Sequence, residues 1–234
     1  VSAKLNRFYK EVSTRADGAG HAVLLDGRPV KTPAGAVMLL PTASLAEVLA
    51  AEWRGQGEKI DLQAMRLTRL AQTAIDRVSQ QSDAVAAQIL GYGRSDLLCY
   101  RAESPSELAL RQAQIWDPLL EWAQIRFGAG LKTAKGIAFI EQAEEAHAAF
   151  ARALEPHDPF RLSGLHTGAS LLGSLVLALA LEDGKLSPAE AFAVSLLDET
   201  YQAELWGLDE EVLARNADRA REVADIAVFL RALA

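Results

Sequence analysis

Residues 198–207, DETYQAELWG, put three carboxylates, an amide, a phenol and an indole into about three helical turns. Such groups could move protons, or they could form a surface that another macromolecule touches. Catalytic carboxylates face each other across a substrate. Asp198 and Glu199 are neighbours and point about 100° apart on a helix, so they cannot do this alone. Glu199 would need a partner such as Glu52 or Asp96, and nothing in the sequence chooses between them. The helical phase is more informative. Val194, Leu197, Tyr201, Leu205 and Leu208 form one apolar stripe, while Glu199, Gln202 and Trp206 fall at i, i+3 and i+7 on nearly the opposite side. A core helix needs only the first stripe. A second stripe of acid, amide and indole suits recognition. On these residues alone, simpler readings stay open: Asp198 and Glu199 as solvated helix acids, and Trp206 as core under a further helix.

Other site chemistries find no foothold. There is no Gly-x-x-x-x-Gly-Lys-Ser/Thr loop, no dinucleotide fingerprint and no Gly-x-Ser-x-Gly elbow. His21, His147, His157 and His166 are never three or four apart, and Cys99 has no second cysteine, so metal-ligand spacing is missing. Cys99 lies in the run Leu-Leu-Cys-Tyr and reads as a buried small hydrophobe. Trp53 shares a helical face with Leu45 and Leu49, which makes it core on phase alone. The chain has 31 acidic against 24 basic residues, a net charge of −7, which argues against non-specific nucleic-acid binding. The apolar run 169–181 is too short to span a bilayer. The first residues, VSAKLNRFYKEV, carry no secretory pattern.

The elements that must position these residues are legible in outline. Strand-like runs at 8–12, 22–25 and 37–40 alternate with turn signals at 16–20, Asp26-Gly27 and Ala34-Gly35. Thr42 caps a helix carrying Leu45, Val48, Leu49 and Trp53, and from there the period is helical. Asp117-Pro118 marks a helix start or a kink. Asp158-Pro159 opens a long apolar helix to Leu181. Ser187-Pro188-Ala189-Glu190 is a capping box, and its helix runs to Gly207. Asp209 starts the last helix, with Val223, Ile226, Leu230 and Leu233 inward. The prediction is an α+β protein: a small antiparallel β-rich domain over 1–62, then a larger all-α domain over 63–234.

A series of motifs, in order along nearly the whole chain, resembles one family. They are RFYKEV at 7–12, LDGRPVKTP at 25–33, AEW at 51–53, TAID at 73–76, SDLLCYRA at 95–102, WDPLLEW at 116–122, GSLVLALAL at 173–181 and the 198–207 block. The chain resembles the assembly chaperones that bind the alpha subunit of the ATP synthase catalytic sector. The resemblance implies a role without catalysis or cofactor: shielding the unassembled alpha subunit until the beta subunit replaces it. It places the family's acidic residue on Glu199, its tryptophan-glycine on Trp206-Gly207 and its early tryptophan on Trp53. The implied partner-binding set is Glu199, Gln202, Trp206, Asp198 and Trp53. It further implies a monomer that neither binds nucleic acid nor inserts stably into a membrane. Met65-Arg66 stands where the family commonly has Met-Pro, and 211–213 lack the histidine-aspartate pair of eukaryotic members. Both departures favour a bacterial-type, cytoplasmic member over a processed protein of the mitochondrial matrix.

Two competing readings make different demands. A carboxylate enzyme would use Glu199 as acid or base in a cleft between the domains. A permanent structural subunit would not be monomeric when purified.

Overall fold

The computed structural model describes residues 5–18, 20–136, 138–207 and 209–234. Ala19 of the first expected turn and Leu208 of the expected apolar stripe lie outside them. Among the described residues, short antiparallel strands occupy the N-terminal part and helices follow, which is the α+β class read from the sequence.

The chain forms two compact units. The first is Val1–Ser82 with Asp158–Gly164 and Asp225–Ala234, and the second is Asp83–His157 with Leu165–Ala224. The chain thus returns twice to the first unit, where the sequence suggested a single division after residue 62.

In the first unit, β1 (Leu5–Asn6) pairs with a short strand at Lys59–Ile60. Strand β2 (Val12–Asp17) pairs with β3 (Gly20–Leu25), from Val12 opposite Leu25 to Asp17 opposite Gly20. Strand β3 also pairs with β4 (Arg28–Pro29) and β5 (Leu39–Leu40), so it is central, and Ala22, Val23, Leu24 and Leu25 are all buried. Asp26 and Gly27 join β3 to β4 with φ of 48° and 76°, the positive-φ hairpin turn their types predict. The run 8–12 is not a strand as expected; only Val12 joins the ladder. The amides of Lys10 and Glu11 donate instead to the Asp26 carboxylate, at 3.0 and 2.8 Å.

Helix α1 (Ala43–Arg54) packs on β2 and β3, and its first turn is capped by Thr42 Oγ1, which accepts from Leu45 N at 3.0 Å. Helix α2 (Arg66–Asp76) has no cap residue of its own. Glu52 of α1 supplies one: its carboxylate accepts from Leu67 N at 3.0 Å and Thr68 N at 2.8 Å. Burial pushes the Glu52 carboxyl above its ordinary value, and those bonds to Thr68 and Leu67 pull it back.

The second unit is helical, with α3 (Ser82–Arg94), α4 (Ser106–Phe127), α5 (Glu144–Leu154), α6 (Pro159–Leu172), α7 (Leu175–Glu182), α8 (Pro188–Ser195), α9 (Leu197–Trp206) and α10 (Glu210–Arg231); α3, α6 and α10 also lend residues to the first unit. Trp116, Phe150, Leu98 and the whole run Leu175–Leu181 are buried. A Cβ on Gly93 would lie 3.1 Å from Leu175 and 3.3 Å from Phe150, so any larger residue there would push these two side chains away from α3.

Three helix boundaries differ from the sequence reading. Of the two readings of Asp117-Pro118, the helix start is ruled out, because Pro118 sits inside α4. The long apolar helix is two helices, because Gly173 (φ 67°) ends α6 and Ser174 caps α7 through Leu177 N at 3.0 Å. The helix begun by the Ser187 capping box also ends early. Ser195 Oγ donates back to Phe192 O, and Leu196 N splits its bond between Phe192 O and Ala193 O. The break lets adjacent Leu196 and Leu197 both be buried.

Asp96 ties the start of this unit to α7. Fully buried, it accepts from Leu98 N and from Val176 N, both at 3.0 Å. Burial, opposed by these bonds and one to Ser174, raises its pKa from 3.8 to about 6. The folded state therefore holds this proton more tightly than the unfolded chain. The resulting stabilisation is complete below the unfolded value and disappears as pH rises through about 6. A shift of about two units corresponds to about 3 kcal/mol. Urea denaturation of the native protein and Asp96→Asn at pH 4 and pH 7 checks this. The stability of the native protein relative to the variant should fall by about 2 kcal/mol between the two, since pH 4 already lies at the unfolded value. An unchanged difference refutes the assignment.

Candidate partner-binding surface

Helix α9 carries four of the five residues singled out in the sequence. Leu197 and Tyr201 point inward and are buried, in line with the apolar stripe. The stripe does not continue as expected, however: Val194 lies before the break at Leu196, and Leu205 is 57% exposed. Gly207 ends the helix with φ 83° and ψ 173°, a conformation essentially restricted to glycine. The indole of Trp206 is thus on the last helical residue, 78% exposed.

Asp198 is held. Its Oδ1 accepts from the Gln112 side-chain amide at 2.8 Å, and its surface is half-buried. Glu199 and Gln202 are exposed. The structure therefore sorts the predicted group into a tether, Asp198, and an outward set of Glu199, Gln202 and Trp206. Trp53 lies apart from this group. It is only 6% exposed and packed edge-on against Tyr9 in the first compact unit. The helical phase with Leu45 and Leu49 had indicated this core position.

Helix α4 completes the surface, and sequence reasoning missed its part. Arg111 Nη1 pairs with Glu204 at 2.7 Å, and that bond holds the Glu204 carboxyl below its ordinary range. Burial, then the neighbouring Glu107 carboxylate, pushes the Tyr201 phenol above its usual value. Leu110, beside Arg111, is 64% exposed, and Leu213 on α10 is exposed as well. The available signal was phase. Leu110 stands about 200° from Leu108 on a helix whose buried face runs through Leu108, Gln112, Trp116 and Leu119.

The acids that could have made a catalytic pair with Glu199 are otherwise engaged. Glu52 caps α2, and Asp96 is sealed onto backbone amides. The Cys99 thiol is pushed up to about 12 by burial and by Asp96, so it stays protonated at neutral pH. Among the described residues, no group of three or more His, Cys, Asp or Glu could hold a metal ion. Nor is any described helix long and apolar enough to cross a membrane. What the α9 surface offers is an exposed indole and leucine with a carboxylate and an amide on the same helix, the materials of a contact hot spot.

Comparison with known proteins identifies the family. The family described as ATP12 chaperone protein matches residues 6–124. The crystal structure of Atp12 from Paracoccus denitrificans is 40% identical, with a TM-score of 0.93 over 98% of this chain and 99% of that one. A protein of known structure from Agrobacterium tumefaciens is 42% identical, with a TM-score of 0.95 over 98% of this chain and 86% of its own. The mitochondrial protein atp12 of Schizosaccharomyces pombe is 27% identical over 241 residues, 97% of this chain and 82% of its own length. The chain belongs to the ATP12 chaperone family, and its fold is that of Atp12.

The exposure of the two tryptophan types sets a stability test. Trp206→Ala should change the unfolding free energy by less than about 0.5 kcal/mol. Trp116→Ala, which removes a ring that is 1% exposed, should cost about 3–5 kcal/mol. Chemical denaturation of both variants measures this, and a large loss at Trp206 would mean that its ring is covered.

Proposed function

We propose that this chain is an assembly chaperone of the ATP synthase catalytic sector that binds the unassembled alpha subunit and keeps it from aggregating until the beta subunit takes its place. The reading rests on family membership and on one observation above the rest: the exposed Trp206 at the end of α9, on the helix that carries Glu199 and Gln202. An orphan subunit exposes apolar surface normally covered by its neighbour, which is an aggregation hazard. Trp206 and Leu205 would cover part of that surface. Glu199 would pair with a basic or amide group of the client, and Gln202 would hydrogen-bond beside it. Asp198 would act indirectly, by holding α9 in place. No bond is made or broken, so the role requires neither catalytic residue nor cofactor.

Release also has a physical requirement. The beta subunit must be able to displace the chaperone, which a micromolar complex, about −8 kcal/mol, allows. We place the chain in the bacterial cytoplasm, a reading supported by its likeness to the Paracoccus and Agrobacterium proteins, and propose that it acts as a monomer.

Co-expression with the alpha subunit followed by size-exclusion chromatography tests this. The alpha subunit should become soluble and co-elute with this chain. Trp206→Ala should weaken the complex by about 2 kcal/mol, roughly thirtyfold. Glu199→Gln, which keeps the shape and removes the charge, should weaken it by about tenfold. An alpha subunit that stays insoluble and never co-elutes contradicts the proposal.

A further inference from the structure

We propose that a pocket in the first compact unit, walled by Phe8, Tyr9 and Trp53, binds an extended acidic peptide segment bearing one bulky apolar side chain. The pocket has a volume of about 490 Å³, within the usual range for ligand sites. None of its lining residues belongs to α9, and the inference does not depend on which subunit the chaperone serves.

The walls are fixed by interactions from separate parts of the chain. The Asp26 carboxylate accepts from the amides of Lys10 and Glu11, which clamps the segment carrying Phe8 and Tyr9 against the β3–β4 turn. Tyr9 donates its hydroxyl to Trp53 O at 2.7 Å and packs edge-on against the indole at 5.7 Å. Phe8 stacks edge-on against Tyr9 at 5.3 Å and yet is among the exposed large hydrophobic residues. An aromatic ring is thus supported from behind and left facing water beside a preformed hollow.

The charge around this hollow selects the ligand. The chain as a whole carries −7, but the pocket is lined by Arg28 and Lys31, both exposed, and Arg7 lies over the Tyr9 ring at 4.6 Å. The one acid lining it, Asp26, already has its carboxylate turned onto two backbone amides. Arg28 and Lys31 together outweigh that single carboxylate, so the lining is net positive and complementary to carboxylates, while the walls are aromatic and aliphatic and need an apolar group to fill them. A peptide with acids flanking a leucine or phenylalanine meets both demands: its side chain enters against Phe8 and Val30, and its carboxylates meet Arg28 and Lys31. A free anion would leave the aromatic walls uncovered.

Fluorescence anisotropy on the full chain decides the matter, with a fluorescein-labelled Glu-Asp-Leu-Phe-Glu-Asp peptide and its Gln/Asn counterpart. The acidic peptide should bind saturably. Its affinity should fall at least about tenfold for the amide counterpart, for the Arg28→Glu/Lys31→Glu double variant and for Phe8→Ser, with circular dichroism confirming that both variants fold. Absence of binding, equal binding of the amide peptide, or unchanged affinity in the charge-reversed variant overturns the proposal. Displacement of the peptide by ATP or inorganic phosphate at lower concentration than unlabelled peptide also overturns it, in favour of a free-anion site. The assay contains no alpha subunit, so its outcome is separate from that of the co-expression experiment.

Discussion

The buried side-chain amide of Gln112 is the interaction on which the α9 surface depends. Its oxygen accepts from Ala102 N at 2.7 Å, its nitrogen donates to Asp198 at 2.8 Å, and its backbone carbonyl accepts from Arg101 at 2.8 Å. A buried amide left without partners costs about 1–3 kcal/mol, so these bonds are strongly preferred over any alternative docking of α9. Arg101 is itself nearly buried, lies over the Trp116 ring and pairs with Asp117. Once Asp198 is held from this side, the helical period leaves no freedom. Leu197 and Tyr201 face the core, and Glu199, Gln202 and Trp206 face out.

The acids of this chain divide by burial into two kinds of work. Glu52 and Asp96 lose most of their contact with water and recover it as hydrogen bonds from helix-terminal amides, so they act as caps that join distant segments. Glu199 keeps its hydration, and its charge remains available to a partner. An exposed carboxylate beside an exposed indole adds little to stability. That arrangement fits a protein whose surface, more than its interior, is shaped by what it must hold.

Much of this was legible in the sequence, for identifiable reasons. The Asp26-Gly27 turn, the Thr42 cap and the Ser187 capping box are local devices whose chemistry is complete within a few residues, and each appears in the structure. The outward Glu199, Gln202 and Trp206 were legible because a helix has a fixed phase. The features that escaped depend on partners far away in the chain. The strand expected at 8–12 loses its amides to Asp26, and the cap of α2 comes from Glu52 on another helix. The break at Leu196 arises where two adjacent leucines are both buried, and no glycine or proline announces it. Trp53 shows the limit of family resemblance: importance at a position does not say whether the side chain touches a partner or supports the core.

The central claim is that α9 is the face on which a client subunit rests. Hydrogen–deuterium exchange of the chain with and without purified alpha subunit tests it most directly. The account predicts slowed exchange across 197–206 and the adjoining turn of α4 around Leu110 and Arg111, with the hydrophobic core unaffected. A complex that forms while those amides exchange as fast as in the free protein would contradict it.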